Sequence, residues 1–166
     1  MRRDAGFIKP RPDIRHMVSK LDQTDILILK ELLRDARQSF RQIAEKLEIA
    51  PGTVQSRIQK LESQGIIQAY RAKLNYEKLG YTFSALIGVQ TSRDKLQRLV
   101  EHLKKNPYVY GIHITTGEYD LFVGVRMKSF EELSTFLQKD LMPEYADKTT
   151  TFMVLETKKE AHTLLE

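Results

Sequence analysis

The C-terminal half of the sequence combines two hydrophobic periodicities in an order that few folds accommodate. Apolar and polar residues alternate, as in strands, in four segments: 81–90, 108–115, 120–127 and 149–156. Apolar residues recur three and four positions apart, as in helices, at 93–105 and 129–141. The resulting order, βαββαβ, is that of the ferredoxin-like split βαβ arrangement, in which two helices cover one face of an antiparallel sheet.

Apolar residues occupy both phases of the predicted strands. In the first strand Phe83, Ala85, Ile87 and Val89 share one phase, and Leu86 lies on the other. A sheet that is apolar on both faces and covered by its own chain on only one predicts association with another molecule. We expect the first helix to bury Leu96, Leu99, Val100 and Leu103. We expect the second to begin with a capping box of Ser129 and Glu132 and to bury Phe130, Leu133, Phe136 and Leu137.

The N-terminal half contains signals for three short helices. Asp22 is a candidate N-cap, and the apolar stripe that follows comprises Ile26, Leu29, Leu32 and Leu33. Ser39 and Gln42 form a second capping box before a helix that we expect to bury Phe40, Ile43, Ala44 and Leu47. A third helix begins near Pro51 and ends before Gly65.

The third helix has an outward face that is polar and nearly free of acids. At 100° per residue Val54, Ile58 and Leu61 share the buried face. Gly52, Ser56 and Gln59 lie opposite, flanked by Thr53, Gln55 and Lys60. Two helices joined by a tight turn are typical of a helix-turn-helix, whose second helix enters the major groove. A plain three-helix bundle with a solvated face explains the same pattern. Arg57 lies at the edge of the buried face, where it either pairs with an acid such as Asp25 or binds a phosphate.

Charge favours the DNA-binding interpretation. Residues 1–75 hold 15 Lys and Arg against 9 Asp and Glu, whereas residues 76–166 hold 12 against 13, within a total of +5. A basic half of this kind is typical of a polyanion-binding surface.

Between the halves, residues 66–74 alternate like a strand and indicate a strand linker.

Motifs in both halves resemble the leucine-responsive/asparagine-synthetase regulator (Lrp/AsnC) family of transcription factors. They are Leu21-Asp22, Asp25, Arg37, Ile43-Ala44, the run from Thr53 to Glu62, Gly65-Ile66-Ile67 and the run from Gly117 to Asp120. The resemblance covers residues 21 to about 157, and the chain departs from it at Ala50, where the family usually has a capping Ser. It departs again at Pro143-Glu-Tyr-Ala146, which replaces Pro-Gly-Val.

The resemblance implies an α+β protein, with an N-terminal winged helix-turn-helix domain joined by a strand linker to a ferredoxin-like βαββαβ domain. The segments we predict are a basic N-terminal arm (1–20), a DNA-binding domain (21–65), the linker (66–80), an effector-binding and oligomerisation domain (81–157) and a tail (158–166). It implies double-stranded DNA, an amino acid or related small molecule, and further copies of the chain as partners. The assemblies implied are dimers, often built into tetramers or octamers.

Two sets of site residues follow. The candidate DNA contacts are Ser39, Arg41, Pro51, Gly52, Thr53, Gln55, Ser56, Arg57, Gln59 and Lys60. The candidate effector wall is Thr116, Gly117, Tyr119 and Asp120, with hydroxyls from Thr149 or Thr151. Gly117 would admit a ligand to the backbone and Asp120 would accept its ammonium group. The alternative is an ordinary turn, in which Asp120 bonds only to backbone.

Other functions have weaker support. We expect no enzyme and no cofactor or metal, because there is no Gly-rich phosphate loop and the four histidines lack metal-ligand spacing. RNA binding by the C-terminal sheet would use Tyr119 and Phe122, yet that half is slightly acidic. An architectural protein that wraps DNA without an effector stays open. No apolar run approaches the ~18 residues of a membrane span, and no signal peptide is evident, so we expect a cytoplasmic protein without membrane contact.

Overall fold

The computed structural model describes residues 21–141 and 144–159. These residues form two compact units that divide between Ala72 and Lys73, inside the predicted linker. The predicted basic arm (1–20), Pro143 and residues 160–166 of the predicted tail lie outside the described residues.

The N-terminal unit contains the three predicted helices: α1 (Gln23–Arg34), α2 (Phe40–Leu47) and α3 (Pro51–Ser63). Asp22 caps α1 in a reciprocal box with Asp25, and Ser39 caps α2 in a box with Gln42. These caps satisfy backbone amides that the first turn leaves without a partner, so both helix starts are encoded locally. Beyond α3, Gly65 has φ +68°, a left-handed conformation that glycine adopts without strain.

A small apolar core joins the three helices. Its buried members are Ile28, Ile43, Ala44, Val54 and Ile58. Two expectations were wrong: Leu33 is 48 % exposed and Phe40 is 41 % exposed, while Ile28 is fully buried. The inward face of α1 includes Asp25 and Glu31. Hydrophobic periodicity alone places such carboxylates on the solvent side. The predicted apolar stripe of α1 was therefore rotated relative to the face that is buried. On α2, burial begins one turn after Phe40, at Ile43.

The connector between the units is not a strand. Residues 66–80 contain no hydrogen-bonded strand, although a strand linker was expected. Sequence alternation gives the period of a strand, but a strand also needs a neighbour for its amides and carbonyls, and no described segment of this chain pairs with the connector. The connector ends in a turn in which the Tyr81 amide donates to the Tyr76 carbonyl at 2.9 Å and Gly80 has φ +87°.

The C-terminal unit has the predicted βαββαβ order. Its elements are β1 (Phe83–Gln90), α4 (Arg93–Leu103), β2 (Val109–Ile114), β3 (Leu121–Met127), α5 (Phe130–Phe136) and β4 (Lys148–Met153). A π-helical turn, Leu137–Leu141, extends α5. The four strands form one antiparallel sheet in the order β2-β3-β1-β4, as the ferredoxin-like arrangement requires.

The helices cover one face of this sheet. Ala85, Ile87 and Val89 of β1 are buried on that face, in one core with Leu99 and Leu103 of α4 and Leu133 and Phe136 of α5. On α5 the sequence placed Phe130 in the core, but it is 64 % exposed, because burial begins a turn later at Leu133. The expected capping box is also incomplete: Ser129 caps the Glu132 amide, whereas the Glu132 carboxylate accepts from the Lys128 amide at 2.8 Å.

The other sheet face, called here the open face, is apolar and exposed, as predicted. Leu86 is 41 % exposed and its β4 partner Phe152 is 46 % exposed. Residues directly opposite one another on paired strands share a face, so the open face also includes Phe122, which pairs with Gly88. An apolar face of this kind is a surface for association.

Candidate functional site

The outward face of α3 is built as predicted. Val54, Ile58 and Leu61 are buried, and Gly52, Ser56 and Gln59 on the opposite side are exposed. Thr53, Gln55 and Lys60 are exposed beside them. From Pro51 to Leu61 the helix carries no acid. Hydroxyl, amide and ammonium groups can all bond to base edges or phosphates in a major groove.

A three-residue connection joins α2 to α3. Glu48 ends α2 in the left-handed conformation, with φ 54°. Ala50 stands at the N-cap of α3 and provides no side-chain hydrogen bond, and Pro51 follows at the first helical position. The connection is tight enough for a helix-turn-helix, and it leaves the start of α3 without the hydroxyl cap that most helices have.

Two predicted DNA contacts at the start of α2 differ in their environment. The Ser39 hydroxyl accepts from the Gln42 amide at 3.3 Å and lies 3.0 Å from Gln42 Oε1, so it has a structural role in the cap. Arg41 is exposed. Both residues are exposed, and the difference between them is that Ser39 is engaged in the cap.

Arg57 adopts the structural role that the sequence left open. Its Nη1 lies 2.8 Å from Asp25 Oδ1 and 2.6 Å from Asp22 Oδ2, both at the start of α1. Hydrogen bonds to Asp22 and then Asp25 raise the pKa of the guanidinium further above its ordinary value. The Arg57 guanidinium is therefore already engaged in an ion pair within the domain, and this counts against the prediction that it contacts DNA.

The turn between β2 and β3 carries the predicted effector residues. The Thr115 amide donates to the Asp120 carbonyl at 3.0 Å, and the Thr115 hydroxyl donates to the Tyr119 carbonyl at 2.7 Å. Gly117 has φ +124°, and a Cβ there would meet nothing within 4 Å. The glycine is thus required by its backbone conformation, and the space around it is open. Thr116 is exposed beside it.

The Asp120 carboxylate bonds to a neighbouring loop. Its Oδ2 accepts from the Thr91 amide at 3.0 Å, and its own amide donates to the Val89 carbonyl at 3.0 Å. Asp120 therefore fixes the start of the loop between β1 and α4 and does not cap its own turn. This role uses one carboxylate oxygen in the interactions that the structure shows.

Tyr119 lies on the open face of the sheet. Its ring covers Gly88, where a Cβ would be 2.8 Å from Tyr119 Cγ. The ring centroid lies 5.3 Å from that of Phe122 and 6.2 Å from that of Phe152, with edge-to-face geometry in both pairs. We call these three rings the aromatic cluster. The strand period does not predict the aromatic cluster. Gly88 is a hint of it, because a glycine inside a strand often marks the close approach of another group.

The two predicted threonines of β4 lie on the other side of the sheet. Thr149 pairs with Val89 and Thr151 with Ile87, which are buried under the helices. Thr150 pairs with Gly88 and so shares the open face with Tyr119. The register therefore does not bring Thr149 and Thr151 together with Tyr119.

No described helix is long and apolar enough to cross a membrane. Within the same residues, no group of three or more His, Asp or Glu side chains is placed to hold a metal ion.

Known families match both halves of the chain. Residues 21–68 match a winged helix-turn-helix DNA-binding domain, and residues 84–164 match the Lrp/AsnC ligand binding domain. An HTH-type transcriptional regulator of Pyrococcus furiosus is 39 % identical over 141 residues, which cover 85 % of this chain and 95 % of that protein.

Solved structures agree with this assignment. AsnC of Escherichia coli superposes with a TM-score of 0.80 at 26 % identity, covering 86 % of this chain and 97 % of that one. A transcriptional regulator of Neisseria meningitidis in complex with L-methionine gives a TM-score of 0.82 at 26 % identity, covering 87 % and 96 %. The chain therefore belongs to the Lrp/AsnC family, as a transcriptional regulator with a helix-turn-helix domain followed by a ligand-binding domain.

Proposed function

We propose that this regulator reads duplex DNA in a sequence-specific manner through the outward face of α3, as a homodimer whose binding is modulated by an amino acid. The observation that carries the DNA assignment is the exposed, acid-free face of Gly52, Ser56 and Gln59, opposite a fully buried face on the same helix. The small Gly52 lets the start of α3 approach the bases closely.

Each exposed group has a role that its chemistry suits. The Gln55 and Gln59 amides each offer a donor and an acceptor, as bidentate contact with adenine requires. Lys60 and Arg41 carry the positive charge that phosphates attract. Thr53 and Ser56 add hydroxyls to this exposed face, although the Ser56 hydroxyl also donates to the Thr53 carbonyl at 3.0 Å.

The test begins with an operator selected from a random duplex library and uses fluorescence anisotropy. Gln59→Ala should weaken discrimination between bases by about 1–3 kcal/mol, whereas Lys60→Ala should weaken binding to all sequences and lower the salt slope by about one. Gln23→Ala, an exposed glutamine on α1, is the matched control. Affinity that does not change with salt, or no duplex binding at low salt, would contradict the proposal.

The dimer forms through the open face of the sheet. Leu86, Phe152 and the ring of Phe122 provide its apolar surface, and a two-fold axis places the same patch on both subunits. Such a dimer presents two copies of α3, so the operator is expected to be palindromic. Further assembly into tetramers or octamers is the family pattern that the resemblance implies.

Light scattering at micromolar concentration tests this interface. Phe152→Asp should shift the protein toward the monomer, because it places a charge on the apolar face. Leu155→Asp is the control, since Leu155 is 96 % exposed just beyond β4. A parent protein that is already monomeric would exclude the dimer.

The amino-acid site lies at the turn formed by Thr116, Gly117, Tyr119 and Asp120. The ammonium group of the ligand would bond to the Asp120 carboxylate, and the Thr116 hydroxyl and the exposed amides near Gly117 would donate to its carboxylate. The methionine complex of the Neisseria regulator supports an amino acid as the ligand class. Thr150 is the β4 threonine that shares the open face with Tyr119.

A thermal-shift panel of the free amino acids identifies the ligand. Asp120→Asn should abolish stabilisation by it and preserve the fold, because an amide oxygen can still accept from the Thr91 amide. Glu118→Gln, an exposed carboxylate in the same turn, should retain it. If no amino acid stabilises the parent, the turn serves only the fold and an architectural DNA-binding role takes precedence.

A further inference from the structure

Two carboxylates at the start of α1 bond to Arg57 of α3, and one of them also lies near Lys60. Arg57 Nη1 lies 2.7 and 2.6 Å from the two oxygens of Asp22 and 2.8 Å from Asp25 Oδ1. Lys60 Nζ, three residues further along α3, lies 3.8 Å from Asp25 Oδ2. The helix proposed to contact DNA thus faces α1 with charged groups at two positions about one turn apart.

The carboxylates are themselves fixed in place. The Asp25 amide donates to Asp22 Oδ1 at 2.9 Å, and the Asp22 amide donates to Asp25 Oδ2 at 3.3 Å. The Asp25 side chain has no exposed area, and a buried carboxylate requires such partners. The start of α1 therefore presents two oriented acceptors to α3.

Apolar packing and these bonds constrain α3 differently. Val54, Ile58 and Leu61 bury one side of α3, but the hydrophobic effect that drives this burial is non-directional. Charge-assisted hydrogen bonds of a guanidinium have defined distance and direction. Because Ser56 and Gln59 are adjacent to Arg57 and Lys60 in the chain, a rotation that breaks these bonds also moves the outward side chains.

We propose that Asp22 and Asp25 are positioning residues for DNA recognition, which hold Arg57 and so fix the angle at which α3 presents Ser56 and Gln59. This inference rests on the proposed docking of α3 in the major groove. In it Arg57 acts through α3 and does not contact phosphate. The Arg57 guanidinium also lowers the pKa of the Asp22 carboxyl, and its effect is larger than that of the Asp25 amide. The Asp22–Arg57 ion pair is therefore charged at neutral pH.

The experiment compares affinity for the selected operator with affinity for a scrambled duplex of the same length, well below the melting temperature. Asp25→Asn should lower this ratio about tenfold, comparable to losing one base contact. Asp22→Asn should lower it less, and it retains the cap because Asn is as good an N-cap as Asp. Glu31→Gln is the matched control. It removes another carboxylate on the inward side of α1, one that bonds to Arg34 and Lys46 and not to α3.

The outcomes separate the possibilities. A positioning role predicts that Arg57→Ala and Asp25→Asn lower the ratio by the same factor, and that the double variant loses no more than either. If both lower the melting temperature but leave the ratio unchanged, the ion pair only stabilises the fold and the proposal is wrong. If Arg57→Ala weakens both duplexes equally and flattens the salt dependence, Arg57 binds phosphate directly, which also overturns it. Should Asp25→Asn fail to fold, Asp22→Asn decides.

Failure of the underlying function would look different. A parent protein that does not distinguish the selected operator from the scrambled duplex contradicts the docking of α3 itself, before any variant is measured.

Discussion

The ring of Tyr119 covers Gly88, and a Cβ on that glycine would lie 2.8 Å from Tyr119 Cγ and Cδ1. The same relationship recurs on the next strand, where a Cβ on Gly124 would lie 2.6 Å from Tyr110 Cζ. Both glycines belong to the two central strands, and both tyrosines lie on the open face. Tyr119 thus belongs both to the proposed effector turn and, through its ring, to the open face proposed for dimerisation.

Gly88→Ala should displace the Tyr119 ring, because real Cβ atoms do not approach other atoms so closely. We expect a loss of about 1–3 kcal/mol in the free energy of unfolding of the C-terminal unit, as in other overpacked sites, together with weaker amino-acid binding. Urea denaturation and the thermal-shift panel measure the two effects. In a Tyr119→Ala background, Gly88→Ala should not lower the free energy of unfolding. An equal cost in both backgrounds would show that the ring is not the cause.

Glu48→Gly should stabilise the N-terminal unit. Glu48 ends α2 with φ 54°, a conformation that costs a residue with a Cβ roughly 1–2 kcal/mol, while glycine loses about 0.5–1 kcal/mol through its freer unfolded chain. The net gain should be several tenths of a kcal/mol by urea denaturation. Glu45→Gly, inside α2, should instead destabilise by about 1 kcal/mol. Equal effects at the two positions would contradict this account.

Ala50→Ser should supply the missing cap of α3. Ala50 has extended backbone angles suited to an N-cap but no side-chain acceptor. A serine there should add about 1 kcal/mol to the free energy of unfolding. Ala36→Ser, at an exposed position in the turn after α1, provides the control and should change little. No gain at position 50 would mean that the first amides of α3 are already satisfied.

Glu31 should make the N-terminal unit sensitive to acid. Hydrogen bonding to Lys46 is the largest cause of the lowered pKa of Glu31, whose ordinary value is 4.5. A lowered folded pKa means that this contribution is complete above about pH 4.5 and is lost as the pH falls through the folded value. The melting difference between the parent and Glu31→Gln should therefore shrink as the solution is acidified. Glu45→Gln, at an exposed carboxylate on α2, is the control substitution, and a difference between the parent and Glu31→Gln that grows in acid would refute the assignment.

Helix starts and the outward face of α3 were predictable from sequence because they depend on neighbours within four residues. Asp22 and Ser39 cap their helices through amides three positions away. The separation of Ile58 from Gln59 follows from helical geometry alone. The βαββαβ order is similarly a matter of local period, and the sheet topology follows because few arrangements accept that order.

Tertiary structure decided what depends on residues far apart in sequence. Asp25 and Glu31 lie on the inward face of α1 because Arg57 and Lys46, 32 and 15 residues away, neutralise them, and no local pattern contains that information. The Asp120 carboxylate bonds to the Thr91 amide, 29 residues away, and not to its own turn. The face occupied by Thr149, Thr150 and Thr151 is set by strand register, where a shift of one residue exchanges the two faces. Sequence alone thus predicted the helices and strands of the two units, whereas long-range pairing decided that the connector is not a strand in this chain and which side chains meet.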